Sequence, residues 1–459
     1  MVKKNANLTI EIENVTSKGF GIAKVEDFVL FTEGGLPGDT LDVKVIKVKK
    51  TYGYGKIQRI ITPSPHRIQS PCPVSDKCGG CQWQHCEYHA QLSFKKQIVT
   101  DALTRLGGIV NPPVADVIGM GAPQPYRNKA VFPIVPAPQD PHGDNGFAIG
   151  MYAPRSHRII PIARCAIQHP IHESILKILG DFMRRHDITA YDEVAHKGIM
   201  RHVVIRTSQA TGEAIVVLVI NSDHLPKENK LATALTDTGA TTVIINTHKS
   251  KSNTIMGNHF RNLTGEGFIR EKIGHIWYQL SAPSFFQVNP VQTAALYDTA
   301  VSMASLTGQE VVMDAHVGVG GVALAAARHA SQVVGVDIVQ EAIADAKKNA
   351  ALNGITNAQF ICGAAEYVIP KMLAEDGGVP PDVVFLDPPR KGCDGVLLDA
   401  LITAKIKTIV YISCDPATLA RDIKILAQGG YSLDAAQPVD MFPMTGKVET
   451  VALLRQADT

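Results

Sequence analysis

With 459 residues, 45% of them apolar and 19% charged, the chain is too long for one hydrophobic core and too apolar to be disordered, so it divides into two to four globular domains. Its 45 basic and 43 acidic side chains leave a formal charge of +2, which excludes a strongly basic or acidic protein and names no partner. No run approaches the roughly eighteen apolar residues of a membrane span. The opening residues Met1–Thr9 lack the apolar core of a signal peptide, so a cytoplasmic protein without a membrane partner is expected. Eight cysteines, unevenly grouped, are too few for a disulfide scaffold and point to metal or catalytic chemistry in a reducing compartment.

Residues 1–62 carry short alternating runs, such as Leu8-Thr9-Ile10-Glu11-Ile12 and Leu41-Asp42-Val43-Lys44-Val45, broken by Gly34-Gly35 and Pro37-Gly38. That pattern predicts a small β-barrel. Residues 1–70 hold eleven Lys or Arg against seven Asp or Glu, a local basic excess that suits a polyanion or simply a solvated strand face. Thr62-Pro63-Ser64-Pro65 reads as a linker. A second domain, 63–270, mixes helix and strand in an α+β pattern, with a helix near Tyr88–Leu106 and a strand at Ala214–Ile220. It also holds Cys72, Cys78 and Cys81, with Cys165 as a fourth thiol from a distant loop. Four thiolates suit an iron–sulfur cluster or a structural zinc, and the spacing favours neither.

From 271 to 459 the pattern turns to strand, helix, strand, helix, which implies a Rossmann-like doubly wound α/β domain. Six strands are expected: Val311–Asp314, Val333–Asp337, Ala358–Cys362, Val383–Asp387, Thr408–Ser413 and Val448–Leu454. After the first comes Asp314-Ala315-His316-Val317-Gly318-Val319-Gly320-Gly321, where glycines let the backbone approach a ligand. Asp337 closes the second strand nineteen residues beyond Gly318, placed for a ribose diol. Asp387-Pro388-Pro389-Arg390 ends the fourth strand, and an Asp-Pro-Pro turn there is typical of S-adenosylmethionine-dependent methyltransferases.

Cys414, in Ser413-Cys414-Asp415-Pro416-Ala417-Thr418-Leu419-Ala420-Arg421-Asp422, lies just past a strand end, where ligands of open α/β sheets bind. It reads as a nucleophile, the plain alternative being a small packing residue. A thiolate adding to C6 of a pyrimidine makes C5 nucleophilic, and a base must then remove the C5 proton; Glu449 in the last strand is the candidate. Cys362 and Cys393 read as packing residues, and Cys86 as spare.

These segments resemble the RNA uracil-5-methyltransferases that form 5-methyluridine, over nearly the whole chain. The Ser413–Asp422 segment is similar to the family's nucleophile motif, with Asp415 where Asn is usual. Phe442-Pro443-Met444-Thr445-Gly446-Lys447-Val448-Glu449-Thr450 is similar to its base motif, with Lys447 where His is usual. Ser284-Phe285-Phe286-Gln287-Val288-Asn289-Pro290 resembles the segment that brings a Gln to the methionine end of the cofactor, and Tyr126-Arg127-Asn128-Lys129 a substrate-facing one. The resemblance implies S-adenosyl-L-methionine held by Gln287, His316, Asp337 and Asp387, with Cys414 as nucleophile and Glu449 as base. It implies a TRAM domain of oligonucleotide-binding-like fold over 1–62. It also implies a 4Fe-4S cluster on Cys72, Cys78, Cys81 and Cys165, as a structural staple or RNA-docking element. His316 and Val317 stand where the family has an aromatic residue and Cys. The cluster and barrel together point to 23S rRNA as the RNA partner, with tRNA the alternative; no obligate protein partner is evident. Two rivals are a non-catalytic iron–sulfur RNA-binding protein of the same fold and an adenine amino-methyltransferase, although an aromatic residue would then follow the prolines in place of Arg390.

Overall fold

The structure, a computed structural model, describes residues 2–137, 146–374 and 380–457. It forms two compact units, one of Met1–Pro71, Cys81–Pro123 and Val291–Thr459, the other of Cys72–Gly80 and Gln124–Pro290.

The first unit opens with a six-stranded sheet spanning Asn7 to Thr62. Alternation turns Ala23, Leu30, Leu41, Val43 and Val45 into its core and leaves Lys24, Lys44 and Lys56 exposed. The segment after it is tied down. The fully buried Asp39 carboxylate accepts from Leu36 N (2.6 Å), Ser64 N (2.8 Å) and the Arg67 guanidinium (2.6 Å).

The rest of that unit is built on a seven-stranded sheet. In chain order its strands are β1 (Val311–Asp314), β2 (Gln332–Asp337), β3 (Ala358–Cys362), β4 (Val383–Leu386), β5 (Thr408–Ser413), β6 (Tyr431–Val439) and β7 (Glu449–Gln456), in the spatial order β3-β2-β1-β4-β5-β7-β6. The first five run parallel, whereas β7 is antiparallel to β5 and β6 to β7. β4 and β5 are buried throughout, which is why they read as unbroken apolar runs. The sequence reading missed β6 because Ser432, Asp434, Gln437 and Pro438 interrupt its apolar pattern. Such a strand survives at the sheet's end, where it pairs with β7 on one side and on the other meets the 114–118 segment through isolated bridges at Val114↔Ala436 and Ile118↔Val439 and a Gln437 Nε2 bond to Asp116 O (2.6 Å).

Helix Pro416–Gln428 follows β5 after only Cys414 and Asp415. Asp415 caps it by accepting from Ala417 N (2.9 Å), and Pro416 stands at its first position. Leu419, Ile423 and Leu426, spaced four and three apart, bury its inner face against Ile409 and Tyr411. The helix Tyr88–Arg105 packs Val99 and Leu103 into the same core.

The second unit centres on another seven-stranded sheet. Its strands Met200–Thr207 and Ala214–Ile220 are wholly buried beneath helices Ile171–Arg185 and Glu228–Thr236. Among the described residues no helix is long and apolar enough to cross a membrane.

Candidate active site

The geometry of the candidate site follows from strand register. In the antiparallel ladder of β5 and β7, Ser413 pairs with Thr450. One step further along places Cys414 opposite Glu449, at the carboxyl end of β5 and the start of β7. In the parallel ladder Leu386 pairs with Tyr411, so Asp387 emerges one strand over at the same edge. Asp314 pairs with Phe385 on one side and Gly335 on the other, and Asp337 ends β2. Six sequence-predicted or strand-end groups thus converge on one edge: Asp314, His316, Asp337, Asp387, Cys414 and Glu449.

Their electrostatics follow from the crowding. Glu449 is 4% exposed, and burial first, then the Asp387 charge, push its carboxyl up to about 8, against the opposing pull of Lys447 and Arg390. Burial likewise pushes the half-buried Cys414 thiol up to about 11, with Glu449 and Asp387 adding to the rise and Arg390 opposing it. Asp387 and Asp314 are each raised to about 7, by burial and then by acidic neighbours; for Asp387 that neighbour is Asp314. Arg390 is therefore the cation that favours both the thiolate and the carboxylate. The sequence displayed it in the Asp-Pro-Pro-Arg turn, but only as a departure from another family's pattern.

The glycine loop is shaped around open space. Gly318 and Gly320 adopt φ of +53° and +99°, and a Cβ added at Gly318 would meet nothing within 4 Å. Asp337 braces the loop: its carboxylate accepts from Gly318 N (2.9 Å) and from Val339 N (2.8 Å), and each oxygen keeps a lone pair for a ligand hydroxyl. Burial holds His316 down to about 4, so its ring is neutral, and its buried Nδ1 has no hydrogen-bond partner. An open cradle, an unpaired imidazole nitrogen and a diol-accepting carboxylate fit an adenosine-containing cofactor.

Two buried anchors behind the site were not legible in the sequence. Lys95 and Asp440, both fully buried, form an ion pair; Lys95 also donates to Phe442 O (3.0 Å), and Tyr88 donates to Asp440 (2.7 Å). Gln91 accepts from Met444 N (2.9 Å), so one helix grips the segment leading to Glu449. On the other flank the fully buried Asp422 accepts from the Tyr411 hydroxyl (2.6 Å), Cys393 N (2.9 Å) and Arg421 Nε (2.7 Å). That joins β5, the helix after Cys414 and the loop after Asp387. Only tertiary packing reveals Lys95, since a helical lysine reads as a solvated face. Cys393 is buried, as expected for a packing residue, but Cys362 is exposed at the end of β3, where its thiol donates to Ile338 O (3.7 Å).

The remaining predicted residues lie elsewhere in the chain. Gln287 belongs to the second unit, half-buried, its carbonyl accepting from Asn128 Nδ2 (3.2 Å). Cys72, Cys78 and Cys165 are also there, half-buried; Cys72 raises the Cys78 thiol, and Cys72 and Cys78 raise Cys165, in each case behind burial. Cys81 belongs to the first unit and accepts from Gln84 Nε2 (3.5 Å). The donor set is soft and right in kind for iron. Among the described residues, however, no group of three or more His, Cys, Asp or Glu is gathered closely enough to hold a metal ion.

Comparison with known proteins adds the family. Residues 208–457 match the model of the tRNA (Uracil-5-)-methyltransferase family, and residues 2–57 match that of the TRAM domain. The chain is 44% identical over 455 residues, 99% of it and 98% of the relative, to an uncharacterized RNA methyltransferase of Halalkalibacterium halodurans. It is 43% identical over 456 residues, 99% and 97%, to another of Clostridium tetani. Among solved structures it resembles the Pyrococcus abyssi tRNA (uracil-54, C5)-methyltransferase, crystallised with S-adenosyl-L-homocysteine. The TM-score is 0.77 at 25% identity, covering 97% of this chain and 100% of that one. A cysteine and a glutamate facing each other across β5 and β7, beside an Asp-Pro-Pro turn, thus sit in a chain that belongs to the RNA uracil-5-methyltransferase family and begins with a TRAM domain.

Proposed function

We propose that the protein methylates C5 of a uracil in RNA, using S-adenosylmethionine, through a transient bond between Cys414 and C6. The observation that carries this reading is the register that sets Cys414 against Glu449 beside Asp387. Gln287, His316, Asp337 and Asp387 would hold the cofactor, which supplies an electrophilic methyl group when bound. Cys414 gives its proton to solvent and its sulfur bonds to C6, driving the ring's electron pair toward C5. Once C5 carries the methyl group, Glu449 takes the C5 proton, the C5=C6 bond re-forms and the sulfur leaves. Its raised pKa makes Glu449 a strong base once ionised, and Arg390 and Lys447 favour that form. The target uridine must leave its stack to reach such a site.

Trapping with 5-fluorouridine RNA tests the chemistry. The parent should form a stable protein–RNA adduct that Cys414→Ala cannot form; turnover by Cys414→Ala would instead favour amino-group methylation.

For the substrate we favour 23S rRNA in the cytoplasm, because a thiol quartet and a TRAM domain accompany the ribosomal branch that the sequence resembles. The archaeal tRNA enzyme of similar structure supports a second reading, tRNA. Methylation of tRNA transcripts but not of 23S transcripts would overturn the first. We also infer a 4Fe-4S cluster on Cys72, Cys78, Cys81 and Cys165, supported by Cys72 lying near enough to raise the Cys78 thiol and both lying near enough to raise Cys165; binding requires the thiols to draw together and deprotonate. No catalytic step runs through it. Anaerobic purification should give a brown protein with about four iron and four sulfide per chain, and zinc alone would refute the cluster.

A further inference from the structure

The outer face of the amino-terminal sheet carries a group of aromatic rings that its core does not use. In the strands Phe20–Val25, Phe28–Glu33 and Tyr52–Thr62, residues alternate between a buried set (Gly21, Ala23, Leu30, Thr32, Gly53, Gly55) and an outer set that includes Phe20, Phe31, Tyr52 and Tyr54. The inner positions of Tyr52-Gly53-Tyr54-Gly55 have room for nothing larger. A Cβ at Gly53 would come within 2.7 Å of Lys47 O, and one at Gly55 within 3.2 Å of Leu30. The tyrosines must therefore point out, and register places Phe31 beside Tyr54 and Val29 beside Tyr52.

The four half-buried rings touch in a chain. Phe20 meets Tyr54 at 6.1 Å, Tyr54 meets Phe31 at 5.7 Å, and Tyr52 meets Phe31 and Tyr54 at 5.8 and 5.9 Å. Neither Phe20 nor Phe31 packs into the core below. Exposed Lys24, Lys44, Lys47 and Lys56 border the rings on the same strands and on Thr40–Val48, with Lys47 paired to Tyr54 in the ladder. Aromatic faces ringed by cations match a ligand with flat π-systems strung on a polyanion, which is unpaired nucleic acid.

The platform also leads toward the site. Gly446, three residues before Glu449, is pressed against the turn just ahead of Phe20: a Cβ there would lie 2.7 Å from Gly19 N and 3.0 Å from Ser17 O. Met444 O accepts from Gln82 N and Trp83 N, both 3.0 Å, fixing that approach. We infer that Phe20, Phe31, Tyr52 and Tyr54 stack unpaired RNA bases flanking the target uridine, with the four lysines on the adjoining phosphates. This rests on the reading of the protein as an RNA methyltransferase and names which part of the substrate that sheet holds.

The test uses the full chain and fluorescein-labelled oligouridylate, with a fully paired RNA hairpin of equal length as control, read by anisotropy across a salt series. Phe31→Leu/Tyr54→Leu keeps apolar bulk on an outer face and removes stacking. It should weaken oligouridylate binding at least about ten-fold, leave the hairpin nearly unchanged and keep the salt slope. Tyr54→Phe should bind like the parent. Lys24→Gln/Lys47→Gln/Lys56→Gln should weaken both ligands and flatten the salt slope. Parent-like oligouridylate binding by the leucine variant overturns the platform, and equal loss on the hairpin overturns its preference for unpaired bases. Adduct formation on 5-fluorouridine RNA is scored separately. If the parent forms no adduct while the leucine variant still loses oligouridylate, the methyltransferase reading fails and the platform stands; the reverse pattern spares the function and removes the platform.

Discussion

Replacing Glu449 by Gln separates the electrostatics of the site from its chemistry. Burial lifts this carboxyl from an ordinary 4.5 to about 8, so the folded protein keeps a proton there that the unfolded chain has released. The folded state therefore binds more protons between those values. The stability this confers is complete below pH 4.5 and is lost as pH rises through about 8. At about 1.4 kcal/mol per pH unit, the gap sets an upper limit of ~5 kcal/mol. Coupling to the Asp387 charge spreads the loss over a wider range. Gln is nearly isosteric and never ionises. Urea unfolding from pH 5 to 9 should show the parent losing ~2–4 kcal/mol more than Glu449→Gln, which becomes the more stable protein at pH 9. Parallel pH–stability curves for the two proteins would refute the reasoning. On ordinary uridine RNA the same variant should accumulate the methylated adduct instead of turning over, and rapid turnover would remove Glu449 as the base.

Lys95→Met leaves Asp440 charged and buried with the Tyr88 hydroxyl, and should destabilise the protein by ~3–5 kcal/mol in urea. Adding Asp440→Leu should recover most of that loss; no recovery would mean the lysine acts through packing alone. Asp422→Asn loosens the tie between β5 and the loop after Asp387, so it should lower kcat on RNA far more than it raises KM, at ~1–3 kcal/mol of stability. An unchanged kcat would make Asp422 merely structural. Arg390→Leu removes the cation that opposes the raised pKa values of Cys414 and Glu449. The rising limb of the kcat/KM pH profile should move to higher pH, and an unmoved limb would show that Arg390 does not tune either group.

The residues proposed as nucleophile, base and cofactor carboxylates drew notice in the chain because each stands at a strand end, and strand ends are announced by apolar runs that stop at a polar residue. Val383–Leu386 before Asp387 and Thr408–Ser413 before Cys414 are of this kind. Buried parallel strands write their own boundaries. The strand Tyr431–Val439 did not, since its polar residues and Pro438 follow no such rule.

What the sequence could not supply was everything that depends on residues far apart meeting in space. Lys95 and Asp440 are 345 positions apart, and Asp422 gathers partners from three elements, so no local periodicity encodes either anchor. Local pattern records whether a side chain faces a core; which charge waits for it there is decided by strand order and register. That is also why the chain alone named Cys414 and Glu449, while only the folded sheet set them opposite one another and raised both pKa values.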